Sequence, residues 1–359
     1  SKNKMNLETL RNFYHLRGRT NSFGSIYRIR SKLIKFIHDF FQDKDFLNLD
    51  PNIITTNECE GGAGVFQVTE NDLTNYGELP IKDRKYDRRK DHCNCPTFLT
   101  VSSQLQLEAM ACSLGNVYTM NKSFRSEHSS TSKHVSEFTH LEIEMVNNSL
   151  DDLMDISEDM IKYSVKQIME RNMEDLENLN KFVSKGIIEQ LNMIINYNFE
   201  RIKYEDIINE INYDIVHDHV KLEKITHGDD LSSLHENYIT KKYGSPVFVT
   251  HWPISIKSFY MKQSDNGLCE CFDLLMPFGI GELIGASQRE DDYDKLMNMM
   301  KIKKVDEKSM EFYTDLRKYG SCPHGGFGLG FDRLLMLITG IQNIKDVIPF
   351  PVFYKSCKY

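Results

Sequence analysis

Ile26, Ile29, Leu33, Phe36, Ile37 and Phe40 recur at i, i+3, i+7, i+10, i+11 and i+14, the spacing of an apolar stripe along a helix of about four turns that begins near Ser25. The stripe stops before Phe46-Leu47-Asn48-Leu49-Asp50-Pro51. That stretch reads as a short strand whose proline, lacking an N–H, belongs at an edge or at the strand's end. Residues 1–20 are polar and basic (Lys2, Lys4, Arg11, Arg17, Arg19) with little periodicity and read as a connector. Residues 71–96 mix Asn, Asp, Lys and Arg with Gly77, Pro80 and Pro96 and carry the run Arg84-Lys85-Tyr86-Asp87-Arg88-Arg89-Lys90. Without an apolar period they predict an exposed insertion, whose basic run is either a solvated loop or a phosphate-backbone contact. Helical spacing returns from Asp151 to about Glu170 and from about Lys181 to Ile195, within a helical covering region at 150–245. Beyond Pro246 strand patterns follow at Val247-Phe248-Val249-Thr250, Cys269 to Leu275 and Glu282 to Gln288. Helices near 291–300 and 306–318 come next, then a glycine-rich strand and a last apolar helix. Strands with helices inserted between them, not in strict alternation, predict an α/β chain of the α+β type: a mainly antiparallel sheet flanked by helices over residues 21–359.

Composition adds limits. At 359 residues and 40% hydrophobic the chain has ample material for a large core, and 44 basic against 52 acidic residues give a net charge of −8. Affinity for nucleic acid therefore has to come from local basic segments. Of the eight cysteines, the pairs 93/95 and 269/271 form Cys-x-Cys, not the Cys-x-x-Cys spacing of zinc sites. No run of about 18 apolar residues predicts a membrane span and no leader pattern opens the chain, so a cytoplasmic setting is expected.

Two segments concentrate polar chemistry. The first is Ser123-Phe124-Arg125-Ser126-Glu127, a Ser-rich loop with His128, Lys133 and His134, then Glu137-Phe138-Thr139-His140-Leu141-Glu142-Ile143-Glu144. Alternation sends Leu141, Ile143 and Met145 to one face of a strand and Phe138, His140, Glu142 and Glu144 to the other, with Arg125 and Glu127 sharing a face of the partner strand. An arginine, several carboxylates and an aromatic ring then line an open sheet face. The second is Gly325-Gly326-Phe327-Gly328-Leu329-Gly330-Phe331-Asp332-Arg333. Its glycines let a ligand approach the backbone, and Arg333 opens an apolar helix where a guanidinium can clamp an anion.

Phe-Arg-x-Glu, a loop and Glu-Phe-Thr resemble motif 2 of the class II aminoacyl-tRNA synthetases; Gly-x-Gly-x-Gly-x-Asp-Arg resembles their motif 3, and the stretch ending in Pro51 their motif 1. The resemblance covers the chain from about Arg17 to Tyr354. It implies a sheet that binds ATP in a bent form, activates an amino acid as its adenylate and esterifies the 3′ end of a tRNA. By position it assigns Arg125 to the α-phosphate, Phe138 to stacking on adenine, Arg333 to the γ-phosphate, and Glu127 and His134 to the neighbourhood of the nucleotide. Asp273 and Glu282 resemble the Mg²⁺-binding acids. It also implies a homodimer, with the helix at 25–41 and the strand ending at Pro51 in the interface.

Thr100-Val101-Ser102-Ser103-Gln104-Leu105, Asn57-Glu58-Cys59-Glu60-Gly61-Gly62 and Gly285-Ala286-Ser287-Gln288-Arg289 resemble the aspartate, asparagine and lysine subgroup. There Glu60 and Gln104 would hold the substrate's α-amino group and Arg289 its side-chain oxygen. Where the aspartate enzymes have a lysine after this glutamine the chain has Leu107, and where they have an aspartate it has Glu142. A missing cation and an extended carboxylate suit L-asparagine, which implies tRNA(Asn) as the nucleic-acid partner. Cys322-Pro323-His324-Gly325-Gly326-Phe327-Gly328 and Val249-Thr250-His251-Trp252-Pro253 resemble eukaryotic-type asparaginyl-tRNA synthetases. The family's N-terminal anticodon-binding barrel has no counterpart here, so residues 1–20 read as the hinge to it. The 71–96 segment is longer than the resemblance predicts, and Val352 stands where the family pattern shows arginine. A free-standing paralogue making asparagine from aspartate, and a non-catalytic module binding tRNA or a partner, remain as alternatives. Glu282 and Arg289 have opposite parity, so a shared face requires a bulge, expected at Gly285.

Overall fold

The computed structural model describes residues 6–56 and 64–359. Its frame is an eight-stranded sheet built from β1 (Leu47–Asn48), β2 (Val117–Phe124), β3 (Glu137–Val146), β4 (Glu200–Lys203), β5 (Val247–Thr250), β6 (Cys271–Met276), β7 (Gly281–Gln288) and β8 (His324–Gly330), in the spatial order β1-β2-β3-β8-β7-β6-β5-β4. The inner pairings are all antiparallel, and only the edge strands β1 and β4 lie parallel to their neighbours. The mainly antiparallel sheet expected from the strand pattern is therefore present.

One face of the sheet carries the main core. Leu141 and Ile143 of β3, Phe327 and Leu329 of β8 and Ile284 of β7 meet Ile26, Ile29, Leu33, Phe36, Ile37 and Phe40 of α1 (Asn21–Gln42) there. The helical stripe is thus consumed within the chain. Helices α3 (Leu150–Arg171), α4 (Met173–Phe182) and α5 (Ile187–Asn196) join the same core, as the interleaved charges between 151 and 195 predict. Helix α10 (Phe331–Thr339) follows β8 directly. Its Asp332 takes the Thr139 N–H of β3 at 2.9 Å and the Arg30 guanidinium of α1 at 2.5 Å, tying helix, helix and strand at one buried carboxylate.

The connector and the insertion have more structure than their composition suggests. Residues 6–20 hold two helical turns, Leu7–Leu10 and Tyr14–Arg17. Arg17, fully buried, donates to the Lys345 carbonyl at 2.9 Å, and Arg11 pairs with Asp346 at 2.7 Å. In the insertion the basic run is largely exposed; Lys85–Tyr86 form a ribbon with Ile81–Lys82, and Arg88–Lys90 a 3₁₀ turn after it. Asp91 anchors it: burial works against the charge, but the N–H groups of Glu70 and His92 and the hydroxyls of Thr69 and Tyr86 hold the carboxyl down to about 2. Among the described residues no helix is long and apolar enough to cross a membrane.

Candidate active site

The sheet face opposite the main core carries the chemistry, and strand alternation decides what it carries. Phe138, His140, Glu142 and Glu144 of β3 line it while Leu141 and Ile143 go to the core, as the period predicts. On β8 the odd positions are Phe327 and Leu329, turned inward, so the even ones, Gly326, Gly328 and Gly330, leave a floor without side chains. The clearance is small: a Cβ on Gly328 would lie 2.6 Å from His140 Nε2, and one on Gly326 2.0 Å from the Ile143 carbonyl.

The required bulge on β7 exists, but at Leu283 and not at Gly285. Leu274 of β6 faces Ile284 while Leu275 faces Glu282, so Leu283 is the extra residue. Leu283 and Ile284 both enter the core, which lets Glu282, Gly285 and Arg289 share the site face. The pairing with β8 needs a regular ladder from Ile284 onward, which excludes a bulge at Gly285.

Two cavities of about 290 and 360 Å³ lie side by side on this floor and share Arg125, His140, Glu282, Gly285 and Gly328. The first is also lined by Glu127, Lys133, His134, Phe138 and Arg333. Strand β2 ends at Phe124, so Arg125 and Glu127 lie just beyond it and not within a strand as expected; the Arg125 N–H still donates to the Ser136 carbonyl at 2.9 Å. The Arg125 guanidinium sits 5.5 Å from the Phe138 ring centroid. Arg333, in the first turn of α10, donates to the Glu282 carbonyl at 2.7 Å. Burial and the nearby Arg333 charge lower the His134 pKa, so its imidazole is neutral at pH 7.

Acids gather where the cavities meet. A Cβ on Gly285 would lie 3.3 Å from Glu282 Oε1 and 3.8 Å from Asp273 Oδ1, so the two carboxylates converge over the backbone there. Glu282 stays open to the cleft, yet the enclosing walls and the Asp273 charge push it up to about 7. Burial raises Asp273 as well, against the pull of Lys257, whose Nζ is 2.6 Å from it. Glu236, on α7 (Ser233–Tyr243), accepts the Glu282 N–H at 3.3 Å.

The second cavity is lined by Ser102, Gln104, Glu142, Glu144, Tyr260 and Arg289 among others. Glu142 accepts the Ser103 N–H at 2.9 Å and the Ser102 hydroxyl. Arg289 is nearly fully buried; its Nη2 reaches Glu144 at 2.5 Å and its Nη1 donates to Ser287 Oγ at 2.7 Å. Behind them lies Glu108 of α2 (Gln104–Leu114), fully buried, with Arg317 Nη2 at 3.1 Å and His324 Nε2 at 2.8 Å. Leu107 does not line the cavity: it packs with Ala111 and Val117.

Every candidate residue expected from the sequence is therefore on this face except Glu60, which lies outside the described residues. Sequence reasoning missed Lys257, Glu236, Glu108, Arg317 and His324. Only His324 had a signal, since it directly precedes the glycine-rich run that begins at Gly325. Among the described residues the three-residue group with metal-ligand atoms close together is Cys112, Cys322 and His324, within 4.8 Å, and neither Cys-x-Cys pair belongs to it. Both His324 nitrogens are already engaged, Nδ1 by the Cys322 carbonyl at 2.9 Å and Nε2 by Glu108.

Residues 6–353 match the family described as tRNA synthetases class II (D, K and N). The chain is 43% identical over 353 residues to an asparagine–tRNA ligase of Clostridium tetani, covering 98% of this chain and 75% of that protein. It is also 43% identical over 356 residues to the Bacillus cytotoxicus asparagine–tRNA ligase, with 98% and 75% coverage. The crystal structure of asparaginyl-tRNA synthetase from Pyrococcus horikoshii complexed with asparaginyl-adenylate superposes with a TM-score of 0.82 at 32% identity, covering 98% of this chain and 73% of that one. The Entamoeba histolytica enzyme in complex with asparaginyl-adenylate gives 0.80 at 29% identity, with 100% and 74% coverage. With the residues of two of its motifs meeting on one sheet face and a match running through nearly its whole length, the chain belongs to the class II tRNA synthetases of the D, K and N group.

Proposed function

We propose that this chain is an asparagine–tRNA ligase whose two adjoining cavities hold ATP and L-asparagine, join them as asparaginyl-adenylate and pass the asparaginyl group to the 3′ end of tRNA(Asn). The observation that carries the reading is Arg125, which borders both cavities and so stands where an α-phosphate and a substrate carboxylate meet. The carboxylate oxygen attacks the α-phosphorus and pyrophosphate leaves; a hydroxyl of the terminal ribose then attacks the carbonyl and AMP leaves. No protein nucleophile is needed, and the task of the site is to orient reactants and offset negative charge. Arg125 does so at the α-phosphate and Arg333 at the γ-phosphate, while Phe138 stacks on adenine and Glu127 and neutral His134 border the nucleotide. Gln104, with Glu60, accepts the substrate ammonium. Arg289 donates to the side-chain oxygen and Glu142 accepts from the amide NH₂.

Asp273 and Glu282 fit a magnesium ion, because hard carboxylate oxygens converge over Gly285, where burial raises both and the Asp273 charge adds to the rise at Glu282. Bound there with the nucleotide, the ion would neutralise phosphate charge. A homodimer belongs to the same proposal. Supporting it, Leu47 and Ile54 are about half exposed beside the edge strand β1. So does a cytoplasmic setting, where charged tRNA is consumed. The eukaryotic-type reading rests on the phrases at 322–328 and 249–253 alone, and relatives at 43% identity are bacterial.

ATP–pyrophosphate exchange tests the assignment. It is expected to depend on asparagine, and charging of a tRNA(Asn) transcript to follow. Exchange with aspartate at equal efficiency would favour the asparagine-making paralogue, and no exchange with either the non-catalytic one. Sedimentation showing a stable, active monomer would count against the dimer.

A further inference from the structure

We propose that Glu108 is a positioning residue for asparagine: from behind the amino-acid cavity it fixes which end of the Gln104 side-chain amide faces the substrate. The proposal rests on the reading that Gln104 accepts the substrate's ammonium group.

Gln104 is the first residue of α2 and Glu108 follows one turn later, on the same side of the helix. Glu108 Oε1 lies 3.0 Å from Gln104 Nε2. A carboxylate only accepts, so it takes the NH₂ end of the amide and never the carbonyl end. The Gln104 carbonyl oxygen is thereby left for the cavity that Gln104 lines. That is the end an ammonium group requires, since an ammonium only donates. The two ends of an amide are nearly equal in shape, so packing alone does not choose between them. Turned the other way, Gln104 would present two N–H groups to a cation.

The carboxylate doing this is itself held still. Tyr313 Oη donates to it at 2.8 Å, Arg317 Nη2 at 3.1 Å and His324 Nε2 at 2.8 Å, and Arg289 Nε lies 3.9 Å away. Tyr313 and Arg317 come from α9 (Glu311–Lys318) and His324 from β8, so two separate elements fix the position of Glu108. Gln104 and Arg289, assigned to opposite ends of asparagine, are thus referenced to one buried anion. A carboxylate serving only the fold would need these same cations. It would have no reason to affect the ammonium end of the ligand more than its amide end.

The test is a double-mutant cycle on Gln104 and Glu108 in asparagine-dependent exchange, with succinamate, which is asparagine without its ammonium group, as competitive inhibitor. Glu108→Gln is expected to raise KM for asparagine about ten-fold with kcat little changed, the pattern of binding lost equally from ground and transition states. KM for ATP and the inhibition constant of succinamate stay within about two-fold. Gln104→Ala raises KM for asparagine similarly, and the double variant no further, because the two residues act through one contact. Should Glu108→Gln fail to fold, Glu108→Asp keeps the charge, withdraws it from Gln104, and carries the same cycle with a smaller rise. An unchanged KM in Gln104→Ala would overturn the reading of Gln104 and the proposal with it. A rise in Gln104→Ala would leave that reading standing. The proposal for Glu108 would then be overturned by an unchanged KM in its variants, by effects that multiply in the double variant, or by succinamate weakened as much as asparagine.

Discussion

Replacing Glu142 by glutamine tests where the choice between asparagine and aspartate is made. Glu142 is 2% exposed, and its carboxylate already takes the Ser102 hydroxyl and the Ser103 N–H, so the acceptor capacity left for a ligand is small and fixed in direction. Glutamine keeps the size and removes an ionised acceptor. Losing a hydrogen bond to a charged group costs about 1.5–3 kcal/mol, so kcat/KM for asparagine is expected to fall about 10- to 150-fold. For aspartate the sign reverses. Two negative charges about 4 Å apart in a partly shielded site repel by about 4 kcal/mol, and removing that repulsion raises kcat/KM for aspartate by about 10³. The preference for asparagine therefore collapses by about four to five orders of magnitude. Exchange measured with each amino acid in parallel reads the ratio directly, with KM for ATP as the control for an intact nucleotide side. A preference that survives within about five-fold would refute the argument and move discrimination to another residue.

Arg30→Met leaves the Asp332 carboxylate buried without its cation and is expected to lower stability by about 3–5 kcal/mol in urea denaturation. Arg30→Met with Asp332→Asn recovers about half of that loss; equal losses would show that the stranded charge is not the cause. His324 supplies a pH dependence. Burial opposes its proton, but the Glu108 carboxylate outweighs burial and holds the imidazole above its ordinary 6.5. The associated stability is complete below pH 6.5 and is lost as pH rises through the folded value. His324→Asn should accordingly flatten the fall of the denaturation midpoint above that pH, and an unchanged profile would exclude His324 as its source. Gly328→Ala places a methyl 2.6 Å from His140 Nε2 and drives that ring into the seam shared by the cavities. KM for ATP and for asparagine should then rise together, and a change in only one of them would contradict the shared floor.

Much of the site was legible because it follows from strand parity. Phe138, His140, Glu142 and Glu144 alternate with core residues, and one face of β3 had to be polar whatever the rest of the chain did. The glycines of β8 were legible for the same reason. Parity also required a bulge in β7 without placing it, since its position is set by pairing with Leu274 and Leu275 of the neighbouring strand and with the ladder of β8. Lys257, Glu236, Arg317 and Glu108 were illegible. Each gains meaning only when the fold brings distant segments together: Lys257 beside Asp273, Glu236 beside Glu282, and Glu108 beside both Arg317 and His324. Leu107 is the converse case: the sequence singles it out beside Gln104, yet its side chain turns away from the cavity into an apolar cluster.

The extra residue at Leu283 makes the site depend on length as well as on composition. With it, Glu282 and Arg289 look the same way across the six positions of the strand that separate them. Deleting one residue there would keep every functional letter in the chain and turn one half of the floor inside out. Grafting this strand between relatives therefore has to conserve its count before its chemistry, and a scan of substitutions alone would never uncover that constraint.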